Sequence, residues 1–83
     1  MAKPGAFKDL AHYIVQSLVD NPDQVTVSET DKGNMVIVEV QVAGSDMGRV
    51  IGKGGNVVNS IRTLLQVLAV KHGKRVSLEI VED

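Results

Sequence analysis

Cysteine and tryptophan are absent from these 83 residues, and tyrosine and phenylalanine occur once each. Without cysteine there can be no disulfides and no thiolate metal sites. The two histidines, His12 and His72, lie far apart in sequence and match no metal-ligand spacing. The shortage of aromatics removes the stacking platform on which RRM-like and OB-like domains hold bases. Long apolar runs are missing as well. Stretches such as Met35–Val38 and Val67–Val70 fall far short of the roughly 20 residues that span a bilayer. Met1 to Leu10 lacks the apolar stretch of a signal peptide. No nucleophile–base pair, metal cluster or phosphate-transfer motif is present. These absences favour a soluble, cytoplasmic, non-enzymatic protein that needs no membrane span, metal or cofactor.

The length holds one domain, residues 1–83. A chain of this size buries roughly 60–65% of its unfolded surface, enough for one modest core. Net charge is −1, which by itself does not favour a polyanionic partner. The distribution points the other way. Met47 to Leu78 contains no Asp or Glu but carries Arg49, Lys53, Arg62, Lys71, Lys74 and Arg75. The rest of the chain holds three lysines and all ten acids. A basic half thus stands against an acidic half, an electrostatic footprint that the bulk charge hides.

Met1 to Gly5 reads as a frayed start. Ala6 to Val19 is helical by periodicity, with Phe7, Leu10, Ala11, Ile14 and Leu18 on one face. Asn21-Pro22 ends it. Gln24 to Thr30 alternates, Asp31-Lys32-Gly33-Asn34 is a turn by composition, and Met35 to Val42 alternates again, with its even-numbered valines on one face. This predicts a β-hairpin with one buried face. Ser45 or Asp46 is placed to cap a short helix ending near Val50. A long helix runs from Asn56 to about His72, with Val57, Ile61, Leu64, Leu65 and Leu68 as its core stripe and Asn59, Arg62 and Gln66 as a polar face. Val67 and Val70 fall beside that stripe. They are assigned to peripheral core, with a dimer contact as the alternative. Gly73 suits the helix C-terminus, and Arg75 to Val81 alternates as a last strand. The order α-β-β-α-α-β predicts a small α+β layer with three helices on one sheet face.

Gly52-Lys53-Gly54-Gly55 joins the two helices of the basic half. Its three glycines can take positive φ and leave no side chain over the loop. Asn56 is a favoured N-cap for the helix that follows. Free N–H groups and the dipole at that helix start suit a phosphate, and Lys53 adds a mobile positive charge. The spacing fits neither of two other glycine-rich loops. Gly48 and Gly52 have only three residues between them, and Gly54 follows Lys53 where a P-loop needs Ser or Thr. A dinucleotide fingerprint would need its third glycine at Val57.

Val50-Ile51-Gly52-Lys53-Gly54-Gly55-Asn56-Val57-Val58-Asn59-Ser60-Ile61 resembles the KH-domain pattern Val-Ile-Gly-x-x-Gly-x-x-Ile-x-x-Ile, with Val58 for the first Ile. The whole chain, including Lys74 to Glu82, resembles the short single-KH proteins of the KhpA family. The resemblance implies a type II KH domain with its core motif at about 35–81 and a three-stranded mixed sheet. It pairs the strands at 35–42 and 75–81 in parallel and puts the variable loop at His72 to Lys74. A loop of this kind clamps about four backbone nucleotides. Carried onto this chain, Gly52, Lys53, Gly54 and Gly55 contact the backbone, while Val50, Ile51 and Val58 lie beside or under an apolar groove for bases. Ile61 matches the last pattern position as a core residue. Arg49, Arg62 and Lys74 are flanking phosphate contacts on charge alone. Gly54 is an extra glycine in the loop, and Asn56 stands where related proteins often carry a basic residue. The resemblance further implies an RNA chaperone or post-transcriptional regulator. It implies pairing with itself or with a larger KhpB-like RNA-binding protein, in cell-wall homeostasis and cell-length control. A protein-interaction module with little RNA binding, and a single-stranded DNA binder, remain alternatives.

Overall fold

Alternating valines build the sheet. In the computed structural model, which describes residues 5–83, β1 is Thr26–Asp31, β2 is Met35–Val42 and β3 is Arg75–Glu82. Val36, Val38, Val40 and Val42 all point to one face and are fully buried or nearly so. β2 is the central strand, antiparallel to β1 and parallel to β3. Val27 pairs with Val40, and Val36 and Val38 pair with Val76 and Leu78. One apolar layer therefore crosses all three strands. The opposite face carries Thr26, Ser28, Glu39 and Glu79, as expected for a sheet covered on one side. The frayed start expected at Met1–Gly5 lies outside the described residues apart from Gly5, which precedes the first helix with φ 85°.

Three helices cover the apolar face: α1 Ala6–Leu18, α2 Met47–Ile51 and α3 Asn56–Lys71. The order is α-β-β-α-α-β, an α+β arrangement of the type II KH kind. Short 3-10 turns at Pro22–Gln24, Gly44–Asp46 and Lys53–Gly55 make the corners. α1 inserts Phe7, Ala11 and Val15, and α3 inserts Ile61, Leu65 and Ala69. Both rows repeat every four residues, so each helix lays a single row along its own axis toward the sheet.

That row displaces several expected core positions. Leu18 and Leu64 are exposed, while Val15 and Ala69, absent from the expected stripes, are fully buried. Val67 and Val70 are 66% and 74% exposed, which overturns their assignment to the core. They project from the outer side of α3, opposite the Ile61–Leu65–Ala69 row. Gly73 ends α3 as expected. It takes φ 69°, its N–H bonds the Val70 carbonyl, and the Lys74 N–H bonds that of Ala69. This is the Schellman pattern.

Asp46 does not cap α2 with its side chain. It is 1% exposed and reaches back to the end of α1. Its carboxylate accepts from the backbone N–H groups of Asp20 and Asn21, both at 3.1 Å, and from Asn21 Nδ2 at 3.0 Å. The chain leaving α1 offers these free donors at a non-helical turn, so they outcompete the helix start. Burial pushes the Asp46 carboxyl up. The Asn21 side chain, the two backbone donors and the nearby Arg49 charge outweigh that and hold it below the usual carboxylate range. Asp46 thus ties α1 to the segment that leads into the glycine loop.

Candidate nucleic-acid interface

Every glycine of the loop has positive φ. Gly52 is at φ 77° and ψ 173°, Gly54 at φ 64° and Gly55 at φ 79°. The Gly52 conformation is one that only glycine adopts readily. A Cβ there would meet Val57 Cγ2 at 2.4 Å and the Val57 backbone nitrogen at 2.8 Å. A Cβ on Gly54 would meet nothing within 4 Å. Gly52 lets the chain fold tightly against α3, whereas the surface over Gly54 is open.

Gly55, not Asn56, occupies the N-cap position of α3. A cap residue needs non-helical backbone. Gly55 supplies it, while Asn56 is already helical at φ −63° and ψ −38°. No side chain caps this helix start. Within the loop, the Gly55 N–H bonds the Gly52 carbonyl and the Asn56 N–H bonds that of Lys53. The Lys53 and Gly54 amides find no acceptor among the described residues. Lys53 is exposed and makes no ion pair among them. Two open amides, an uncapped helix start and a free ammonium therefore converge, a combination that suits an anionic oxygen.

The flanking residues divide. Ile51 and Val58 are half-buried on either side of the loop and offer apolar surface next to it. Val50 is completely buried and belongs to the core, as does Ile61. Val50 can support the site but has no surface for a ligand. Arg49 is held by Asp20 at 3.1 Å. Arg62 donates to Asn59 Oδ1 at 2.7 Å. Lys74 lies beyond the far end of α3, about 24 Å from the loop by helix rise, and its Nζ sits 2.6 Å from Asp31 Oδ2. The Lys74 hydrogen bond, followed by the Gly33 N–H, lowers the Asp31 carboxyl below its usual range. Acidic residues from the first half of the chain thus fold onto Arg49 and Lys74, and the two charge halves are less separate in space than in sequence. No sequence signal marks these partners, because each pair joins distant segments.

Among the described residues there is no cluster of His, Asp or Glu able to hold a metal, and no helix is long and apolar enough to cross a membrane.

Comparison with known proteins places this geometry. The family model described as "KhpA/KhpB, KH domain" matches residues 8–80. The RNA-binding protein KhpA of Clostridium acetobutylicum is 49% identical over 74 residues, covering 89% of this chain and 99% of that protein. KhpA of Chlamydia caviae is 43% identical over 76 residues, covering 92% of this chain and 97% of the relative. KhpA of Aquifex aeolicus is 42% identical over 77 residues, covering 93% and 98%. Among solved structures, Era in complex with MgGDPNP and nucleotides 1506–1542 of 16S ribosomal RNA superposes with a TM-score of 0.66 at 18% identity. That match covers 99% of this chain but only 31% of the Era chain. At that identity the likeness is one of fold alone. The family match spans α1, the hairpin, the glycine loop and β3 together, and on that ground the chain belongs to the KhpA/KhpB KH-domain family.

Proposed function

We propose that this protein binds single-stranded RNA without catalysing a reaction, with Gly52, Lys53, Gly54 and Gly55 holding the sugar–phosphate backbone. The observation that carries this reading is the loop: three glycines at positive φ leave two amides and the Lys53 ammonium open at an uncapped helix start. The names of the KhpA relatives, each an RNA-binding protein, support RNA as the polyanion. Ile51 and Val58 flank the bases. Arg62 is half-buried beside the groove, whereas Arg49 and Lys74 must first exchange a carboxylate for a phosphate. With two to four phosphate contacts, the log–log salt slope is about −1.5 to −3 for a single strand.

The test is fluorescence anisotropy with short labelled RNA and DNA strands at two salt concentrations, comparing the native chain with Lys53→Asp/Gly54→Asp. Gly54 stands in open space and Asp tolerates left-handed backbone comparatively well, so the double variant is expected to fold. Salt-sensitive RNA binding that only the variant loses supports the loop clamp. Binding unaffected by the substitutions refutes it. An equal DNA signal assigns the ligand to single strands of either sugar.

A second reading rests on the outer side of α3. Leu64, Val67 and Val70 are all more than half exposed and recur at helical spacing. This stripe is offered as the contact for a second copy or for a KhpB-like partner. Pairing would raise the avidity of a weakly binding single domain. A cytoplasmic pair of this kind fits an RNA chaperone or post-transcriptional regulator acting in cell-wall homeostasis and cell-length control.

A further inference from the structure

The sheet face turned away from the helices carries its charge in two separate rows. The Lys32 N–H bonds the Met35 carbonyl at 2.7 Å, and Met35 pairs with Arg75 on β3. Lys32, Met35 and Arg75 therefore stand in one row across the sheet. Two residues further along β2, Ile37 lies between Thr30 and Ser77. Two further again, Glu39 lies beside Glu79. Residues two apart on a strand share a face, and the intervening Val36, Val38, Val76 and Leu78 are buried under the helices. All three rows thus face away from the core.

Lys32, Arg75, Glu39 and Glu79 are all exposed, and none makes an ion pair among the described residues. Glu39 and Glu79 are like charges side by side on neighbouring strands, which costs a sheet stability. The cationic row cannot relieve them. It lies four residues away, roughly 13 Å at about 3.3 Å per residue, beyond a Debye length of about 10 Å at 0.1 M salt. The pattern is nevertheless its own complement. Two copies of this face can be related by a two-fold axis that runs across the strands over the Ile37 row. Each cationic row then lies against the other copy's anionic row, and Thr30, Ile37 and Ser77 each meet their own counterpart. Facing sheets pack about 10 Å apart with strands within about 30°, a gap that Lys, Arg and Glu side chains bridge from both sides.

We infer that the open sheet face is a contact for a second copy of this chain, with Lys32 and Arg75 of each copy against Glu39 and Glu79 of the other. The contact is isologous and closes on itself as a pair. It is distinct from the Leu64–Val67–Val70 stripe, which lies on the outer side of the helix layer. Its size sets its strength. Three rows across three strands cover a patch roughly 15 Å by 20 Å, on the order of 300 Å² per copy, against about 800 Å² per partner in a standard interface. The contact is therefore weak, with Kd on the order of 1 mM, below the reach of sedimentation at micromolar protein. It forms where copies are already held together, since tethering gives effective concentrations in the millimolar range. The helices lie on the outer sides of such a pair, so both glycine loops stay free.

The experiment follows backbone amide resonances of the full chain by NMR at low ionic strength, from about 20 μM to about 1 mM protein, a range that reaches that Kd. The chains are the native protein, Glu39→Lys/Glu79→Lys, Lys32→Glu/Arg75→Glu, and an equal mixture of the two variants. The spectra report directly that each variant folds, and all four side chains are already in solvent. In the native chain, amides around Thr30, Ile37, Glu39 and Ser77 should shift with concentration, and added salt should suppress the shifts. Each variant alone carries one sign of charge in both rows and should lose them. The mixture sets a cationic face against an anionic one and should restore them at lower concentration than the native chain needs. Absence of open-face shifts in the native chain at the highest concentration overturns the inference. Shifts that persist in either variant alone, or a mixture that fails to restore them, overturn the pairing of charge rows and the inference with it. Open-face shifts produced by added short RNA rather than by concentration assign the face to RNA and overturn it too. The concentration series contains no RNA, so its failure leaves the RNA-binding reading intact.

Discussion

Replacing Gly52 by alanine should damage the fold, while the same change at Gly54 should mainly damage the ligand surface. At Gly52 the backbone conformation alone costs a non-glycine residue roughly 1–3 kcal/mol. The added Cβ would also stand 2.4 Å from Val57 Cγ2 and 2.8 Å from the Val57 nitrogen. Val57 cannot swing away, since a β-branched side chain in a helix has one strongly preferred rotamer and the nitrogen belongs to the backbone. We therefore expect Gly52→Ala to cost about 3–5 kcal/mol. A chain of this length is stable by only about 4–12 kcal/mol, at roughly 0.05–0.15 kcal/mol per residue. Gly54→Ala meets no atom within 4 Å. It pays about 1–2 kcal/mol for left-handed backbone, partly offset by a less disordered unfolded chain, and nets about 1 kcal/mol. Urea unfolding followed by circular dichroism measures both. In thermal melts, at about 4–8 °C per kcal/mol, Gly54→Ala should lower Tm by less than about 10 °C and Gly52→Ala by more than about 12 °C. A Gly52→Ala variant within about 1 kcal/mol of Gly54→Ala, a gap set by the dihedral and contact costs above, would refute the close fit of loop against α3.

Three further outcomes follow from named contacts. Asp46→Ala should lower Tm at neutral pH more than Asp46→Asn, which keeps one acceptor oxygen for the donors of Asp20 and Asn21. Because the folded-state Asp46 carboxyl is depressed, its contribution is present above the ordinary carboxylate range and is lost as pH falls through the folded value, below about pH 4. Thermal melts from pH 7 to pH 2 should show the native and Asp46→Asn curves converging there. Asp20→Asn should tighten RNA binding by freeing Arg49, by at most about fivefold because the exposed pair is worth at most about 1 kcal/mol. That gain should vanish in an Arg49→Gln background, and anisotropy on the four chains of the cycle checks it. Val67→Lys/Val70→Lys should abolish any self-association seen by analytical ultracentrifugation and leave the monomer Tm nearly unchanged, since both side chains are already in solvent.

The strands and the loop were legible in sequence because their signals are local. Valines at alternate positions can only bury one face of a strand, and β2 appears as Met35–Val42 on that basis. Three glycines around a lysine imply backbone that other residues avoid, and all three have positive φ. Helix periodicity is a blunter guide. It marks a stripe about 100° wide but not its centre, so the pattern points Leu18 and Leu64 inward, whereas the fold buries Val15 and Ala69. Least legible were the polar contacts that tune the site. Gln66 with Val76 and Lys74 with Asp31 join residues 10 and 43 positions apart, and neither member carries a local mark of its partner. The same holds for Asp46 with Asn21 and for Arg49 with Asp20. Their consequence is electrostatic. The acid-free stretch from Met47 to Leu78 receives its counter-charges by folding, at Arg49 and Lys74, while Lys53 receives none among the described residues. Arg62, Lys71 and Arg75 likewise lack a carboxylate partner among the described residues, but Lys53 is the one that adjoins the open amides, so on the glycine loop a phosphate meets a positive charge and free N–H donors together.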